Sequence, residues 1–350
     1  GVLGGARVIG YESEFLSDVG LIGFVYRLAL TYEGDEPESP RTLIAKMPTN
    51  VTKNRAIGDV GGDYEREVRF YQDLAQDLPI RSPGCYAALF QGDPVATSER
   101  RLSRTTDQRF ILLLEDMAPA RVGDDAAGCG VEEATTVLRA AARLHASLWD
   151  SPRLDDLWWA WRVGSHARAS QMVYRNARSA FDQAYRDRLP PFVFALLDWL
   201  DNHGEDLQRG MRRPPSTVLH VDFRLDNLFF AGTRPADVIF FDWQACGIGP
   251  AARDVASFLS NSLRVGVGSP EIRKLLATYH DTLVEHGVEN YTREALEHDY
   301  EACLVLTLRG LVTNFSHVDW GDGRELERHD VQLERKVERL ESVEPGRLLA

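Results

Sequence analysis

The chain has 350 residues, 44% of them hydrophobic and 27% charged, with a formal net charge of −13. That length suits two lobes sharing a cleft better than one small core, and the balance of apolar and charged residues is that of a soluble globular protein. The acidity argues against nucleic-acid binding, which needs a basic footprint, and is compatible with a cationic substrate without selecting one.

Cys85, Cys129, Cys246 and Cys303 are scattered, without the Cys-x-x-Cys spacing of a zinc or redox site. Reduced thiols and a cytoplasmic location are expected. No apolar run approaches a membrane span, since Phe192–Leu200 is interrupted by Asp198. The leading Gly1-Val-Leu-Gly-Gly-Ala-Arg7 lacks a signal-peptide layout.

Residues 15–47 read as β structure, with Phe24, Tyr26, Leu28 and Leu30 alternating with less apolar neighbours. Gly20 and Gly23 precede this strand, where a tight turn and a phosphate-approaching loop are equally good readings. Lys46 lies in the apolar strand Thr42–Met47, where burial requires a partner and an edge position would not. Residues 49–62, with Lys53, Arg55 and several glycines, are expected to form a mobile loop. A helix follows, with Asp63 as N-cap, Glu65 and Glu67 in its first turns, and Tyr64, Val68, Tyr71, Leu74 and Leu78 at helical spacing. Residues 84–115 are strand-rich and end in the acids Glu115 and Asp116 before Met117.

From about residue 118 the chain reads as mostly helical. His145 is expected to be a packed structural residue. Trp149, Trp158, Trp159 and Trp161 suggest an apolar wall, either core or substrate-facing. Pro190-Pro191 breaks the helical region 165–210. Arg324 to Val343, rich in both charges, is expected to form a solvated terminal helix.

The informative stretch is Val218–Gln244. Val218-Leu219 leads into His220-Val-Asp222-Phe-Arg-Leu-Asp226-Asn227. Leu228–Phe230 leads out to the turn Ala231–Pro235, and Val238–Phe241 ends at Asp242. This is strand, polar loop, hairpin, polar loop. Asp222, Asn227 and Asp242 are expected to converge. Three oxygen-bearing side chains suit Mg²⁺ with phosphate oxygens. In phosphoryl transfer to a hydroxyl, one Asp orients the hydroxyl while an Asn and a second Asp hold metal. Asp222 takes the first role; Asn227 and Asp242 take the second.

His220–Asn227 resembles the catalytic loop of the aminoglycoside phosphotransferase and choline kinase-like superfamily. His220–Phe230 is especially similar to phosphotransferase domains associated with acyl-CoA dehydrogenases, and Phe241–Leu259 to the ecdysteroid kinase-like branch. Val221 stands where the superfamily usually has Gly. The resemblance implies an α+β, protein-kinase-like two-lobe fold. Residues 1–116 would form a small antiparallel-sheet N-lobe, and residues 117–350 a large, mainly helical C-lobe. It implies an ATP- and Mg²⁺-dependent kinase acting on a small-molecule alcohol. Gly20, Gly23 and Lys46 would serve the nucleotide phosphates, with Glu67, in Tyr64-x-x-Glu67-x-x-Phe70-Tyr71, as the partner of Lys46 and Glu65 as the alternative. Glu115 and Met117 would contact adenine through main-chain atoms, and Asp254 would brace the catalytic loop. Sterol-like, hydroxyacyl and cationic acceptors all have precedents in the superfamily. The rival readings are an inactive nucleotide-binding scaffold and a protein kinase. The protein kinase is disfavoured because Asp242 leads at once to Gly249-Pro250 and a helix, with no segment ending in Ala-Pro-Glu.

Overall fold

The computed structural model describes residues 3, 5–17, 23–92, 108–317 and 324–343. Gly20 lies outside them. The chain groups into two compact units: Gly1–Arg121 with Ile239–Cys246, and Val122–Val238 with Gly247–Ala350. A single cut after Asp116 does not separate them, because 239–246 is bonded into the first unit. Phe240 N donates to Arg81 O, and Trp243 stacks on Phe70 at 3.9 Å between ring centroids.

The first unit is built on a five-stranded antiparallel sheet. Its strands are β1 (Val8–Ser17), β2 (Gly23–Tyr32), β3 (Thr42–Pro48), β4 (Cys85–Gln91) and β5 (Arg109–Glu115), in the order β1-β2-β3-β5-β4. In β3, Leu43 and Ala45 are buried on one face and Lys46 belongs to the other. Two helices join β3 to β4: α1 (Thr52–Gly61) and α2 (Asp63–Asp73). The expected mobile loop is therefore largely helix. Arg55 fastens α1 by donating to Thr49 O and to Gln108 O, the latter at 2.7 Å. Gly62, at φ 72°, ends α1 and begins α2, a left-handed turn that favours glycine; Asp63 is the first helical residue of α2. Tyr64 of α2 stacks on Phe110 of β5 at 4.8 Å.

The chain passes into the second unit at β6 (Arg121–Val122) and continues through α3 (Val131–Ser147), β7 (Trp161–Arg162), α4 (Ala167–Tyr185) and α5 (Pro191–Gly210). Pro191 opens α5, as a first-turn proline can. Then come β8 (Thr217–Leu219), β9 (Leu228–Phe230), β10 (Val238–Phe240), β11 (Gly247–Gly249), α6 (Ala252–Asn261), α7 (Ser269–Glu285), α8 (Arg293–His317) and α9 (Arg324–Ser342). β11 lies between β7 and β8. Within this unit α3 packs on α7, and α6 packs on α8 and α9. No helix among the described residues is long and apolar enough to cross a membrane.

α9 is not a solvated helix. Leu333, Arg335, Lys336, Val337, Arg339 and Leu340 are buried. Charge density alone misreads the segment because its long cations reach internal acceptors. Arg335 donates to the Ala126 and Asn261 carbonyls, Arg339 to those of Arg264 and Val267, and Lys336 to the Asn261 side chain.

Lys336 is 3% exposed, and burial pushes its ammonium from the ordinary 10.5 down to about 7. Between those values the unfolded chain carries a proton the folded chain has shed, so stability should rise with pH across this window. Lys336→Met removes the charge while retaining length. It should gain roughly 2 kcal/mol at pH 7, and the gain should shrink as pH is raised toward 10. Paired urea melts of both proteins test this; a pH-independent difference would contradict it.

Candidate functional site

In the first unit, Lys46 on β3 is held between two carboxylates. Its Nζ donates to Glu67 of α2 at 2.7–2.8 Å and to Asp242 Oδ1 at 2.7 Å. Burial alone would lower the Lys46 ammonium, but Asp242 and Glu67 together hold it above its ordinary range. Burial raises Glu67, to about 7, against the opposing pull of Lys46. Glu65 is buried on the Arg69 side of α2, 3.6 Å from its Nε, so Glu67 is the partner of Lys46. Arg66 fixes the segment carrying Asp242, donating to Gln244 O at 2.6 Å and to Asp63 at 2.7 Å. Asp242 itself is at φ 64°, a left-handed conformation that costs a non-glycine residue energy and clusters at functional sites.

In the second unit, β8 delivers the loop 220–227, and one carboxylate fixes its start. Asp254, 1% exposed in the first turn of α6, accepts His220 N at 2.7 Å and Val221 N at 2.9 Å. His145 of α3 lies 3.3 Å from the same carboxylate and bonds the Tyr279 hydroxyl at 2.6 Å, the packed structural role expected of it. Val221 is at φ 72°, where a β-branched side chain is strained. This is the physical reason a glycine is usual there, and the two bonds to Asp254 offset the strain.

Asn227 Nδ2 donates to Asp222 Oδ2 at 2.9 Å and to Asp222 O at 2.8 Å. Arg224 Nε lies 3.2 Å from Asp222 Oδ1. Burial acts to raise the Asp222 carboxyl, but Arg224, His220 and Asn227 hold it below the usual carboxylate range, so it is ionised at neutral pH. Its side chain is 38% exposed and open to a reactant.

Each unit offers one open side-chain oxygen of the kind a hard cation takes. Asn227 uses its amide nitrogen on Asp222, leaving Oδ1 without a hydrogen bond among the described residues. Asp242 uses Oδ1 on Lys46, leaving Oδ2 likewise open. No group of three or more His, Cys, Asp or Glu side chains placed to hold a metal ion occurs among the described residues.

Gly23 opens β2, in register with Pro48 of β3. Glu115 ends β5, where its side chain takes Arg81 and Gly84 N at 3.0 Å each, and Met117 is buried. The tryptophans divide: Trp159 is core, Trp158 is exposed and Trp161 lies in β7 beside β11. Two residues of the loop's support escaped sequence reasoning. Arg224 lies inside the motif and bridges Asp222 to Asp226, 2.9 Å from the latter. Asp125 accepts Leu225 N at 3.1 Å and the Ser262 hydroxyl at 2.6 Å. No local signal marks Asp125, since its partners are 100 or more residues away.

The profile of the ecdysteroid kinase-like family matches residues 20–289. No curated protein matches the chain in sequence. Among solved structures, a choline/ethanolamine kinase family protein from Mesorhizobium loti is 16% identical, with 98% of this chain and 92% of that one covered and a TM-score of 0.52. An amicoumacin kinase, in complex with AMP-PNP, Ca²⁺ and Ami, is 11% identical, with 97% and 94% covered and a TM-score of 0.53. The GDP complex of an aminoglycoside 2′-phosphotransferase is 11% identical, with 98% and 93% covered and a TM-score of 0.54. At these identities the likeness establishes the kinase-like fold.

Asp254→Asn should test the brace directly. An amide cannot accept both backbone N–H groups and also serve His145, and a buried donor then goes unpaired. We expect a loss of about 2–4 kcal/mol in urea unfolding. A variant as stable as the parent would show that the loop is held by other contacts.

Proposed function

The chain belongs to the ecdysteroid kinase-like family, and from that premise we propose that it is a small-molecule kinase that transfers the γ-phosphoryl group of ATP to an alcohol. The observation that carries this reading is Asp222: an ionised, partly exposed carboxylate fixed by Arg224 and Asn227 on a loop tied down by Asp254. One Asp oxygen would accept the acceptor's hydroxyl proton as the new O–P bond forms and the bond to the ADP oxygen breaks. Lys46, oriented by Glu67, would donate to phosphate oxygens. Mg²⁺, held by Asn227 Oδ1 and Asp242 Oδ2, would neutralise charge on the β- and γ-phosphates. Most of the rate would come from positioning and charge stabilisation.

A small acceptor is favoured over a protein because β11 runs through Pro250 directly into α6, without a peptide-docking segment. The scaffold reading keeps nucleotide binding and removes turnover.

Asp222→Asn separates these readings. It preserves shape and one of the two contacts to Asn227 and Arg224, but removes the charge and the proton acceptor. Affinity for ATP with Mg²⁺ should stay within a few-fold, while single-turnover transfer falls roughly a hundredfold or more. A variant that transfers phosphoryl groups at the parent rate would remove Asp222 from the chemistry. If Asp222 only caps the loop, the substitution should instead lower the melting temperature and leave activity per folded molecule intact.

A further inference from the structure

Buried arginines in this chain are normally matched to acceptors. Arg178 is surrounded by Asp182, Asp198 and Asp201, at 2.7–2.8 Å, and Arg335 and Arg339 bond main-chain carbonyls. With 53 acidic residues against 40 basic ones, carboxylates are abundant. Arg253 and Arg309 have no carboxylate partner among the described residues, and they lie on helices that pack together, α6 and α8.

Arg253 of α6 immediately precedes Asp254, the residue that holds the loop carrying Asp222. Its guanidinium lies over the Trp161 ring, 5.9 Å from the centroid. Its Nε is buried without a hydrogen-bond partner, and no carboxylate among the described residues pairs with it. The residue as a whole is only half-buried, so a ligand can reach it. Trp161 belongs to the same locality. A Cβ on Gly247 would fall 2.7 Å from Trp161 O and 3.0 Å from Val221 Cγ2, so the β7 backbone, β11 and the residue before Asp222 are in close contact through a glycine.

Arg309 of α8 is 6% exposed, and its partners are neutral: the Ser170 hydroxyl at 2.9 Å, Gln171 Oε1 at 3.4 Å and the face of Tyr174 at 5.3 Å. Burial lowers its pKa to about 10, and although Tyr174 opposes this, the positive charge of Arg253 lowers it further. Two positively charged guanidiniums on packed helices, with no carboxylate partner among the described residues, form a setting that an oxyanion would complete.

We propose that Arg253, backed by Arg309 and floored by Trp161, binds an anionic group of the acceptor, a carboxylate or phosphate, while the acceptor's hydroxyl lies at Asp222. This rests on the kinase reading for the second half of the statement and on the arginine pair for the first. The substrate class is an acidic alcohol, despite the acidity of the chain as a whole. A planar guanidinium suits a carboxylate bidentately, and stacking on the indole leaves its edge free to donate.

The test uses the full chain and matched probes: 6-hydroxyhexanoate, 6-hydroxyhexyl phosphate, 1,6-hexanediol and 6-amino-1-hexanol, together with their shorter homologues. Calorimetry gives affinity without requiring turnover, and ADP release in the presence of ATP and Mg²⁺ gives transfer. The parent should bind the two anionic probes about ten- to a hundredfold more tightly than the diol or amino alcohol. Arg253→Gln should erase that preference, and Arg253→Lys should restore part of it, which a purely structural arginine would not do. Parent protein that binds no anionic probe, or binds the diol equally well, overturns the proposal, as does a preference that survives Arg253→Gln. Arginine-dependent binding without transfer to any probe would retain the subsite and discard the kinase reading. Transfer to all probes alike would retain the kinase reading and discard the subsite.

Discussion

The second unit depends on the Asp254 carboxylate. It holds the backbone N–H groups of His220 and Val221 together and meets His145 from the other side. A carboxylate that accepts several donors in a buried setting is stabilised far beyond an exposed ion pair, and the same burial makes each missing donor costly. The bracing is also what permits Val221 at φ 72°, a conformation few β-branched residues sustain. With the start of the loop fixed, Asp222 emerges at a defined place, and Arg224, Asn227 and Asp125 set the rest of its course.

The first unit uses a different arrangement of charge. Lys46 is shared by two carboxylates, Glu67 and Asp242, one on a helix of the unit and one on the segment 239–246. A buried lysine with two carboxylates is net negative, a suitable setting for a divalent cation, which brings its own positive charge. The Trp243–Phe70 stack and the Arg66 bond to Gln244 O keep that segment, and hence Asp242, in register with α2. Asp242 is thus placed by tertiary packing, in a strained conformation of its own.

Much of this was legible in the sequence because most of the candidate site lies in one short stretch. His220–Asn227 and Asp242 could be read from residue type and spacing, and the Lys46–Glu67 pairing from the aromatic frame of α2. What could not be read was set by contacts between distant residues. The helix over 52–61 ends at a left-handed glycine and depends on Arg55 reaching Gln108 O, 53 residues away. α9 looks solvated by composition, yet its cations satisfy carbonyls more than 70 residues earlier. Asp125 lacks a motif for the same reason. Val221 is instructive in the opposite direction: the sequence showed a departure from the usual glycine, and only the backbone angle showed what the departure costs.

Phosphoryl transfer is tested most directly by following ³¹P resonances while the protein is incubated with ATP, Mg²⁺ and a panel of alcohols that differ in charge and size. Phosphoryl transfer to a hydroxyl predicts a phosphomonoester resonance that grows in one-to-one proportion with ADP and depends on the alcohol supplied. ADP accompanied only by inorganic phosphate, or intact ATP in a protein shown to bind it, would contradict the account.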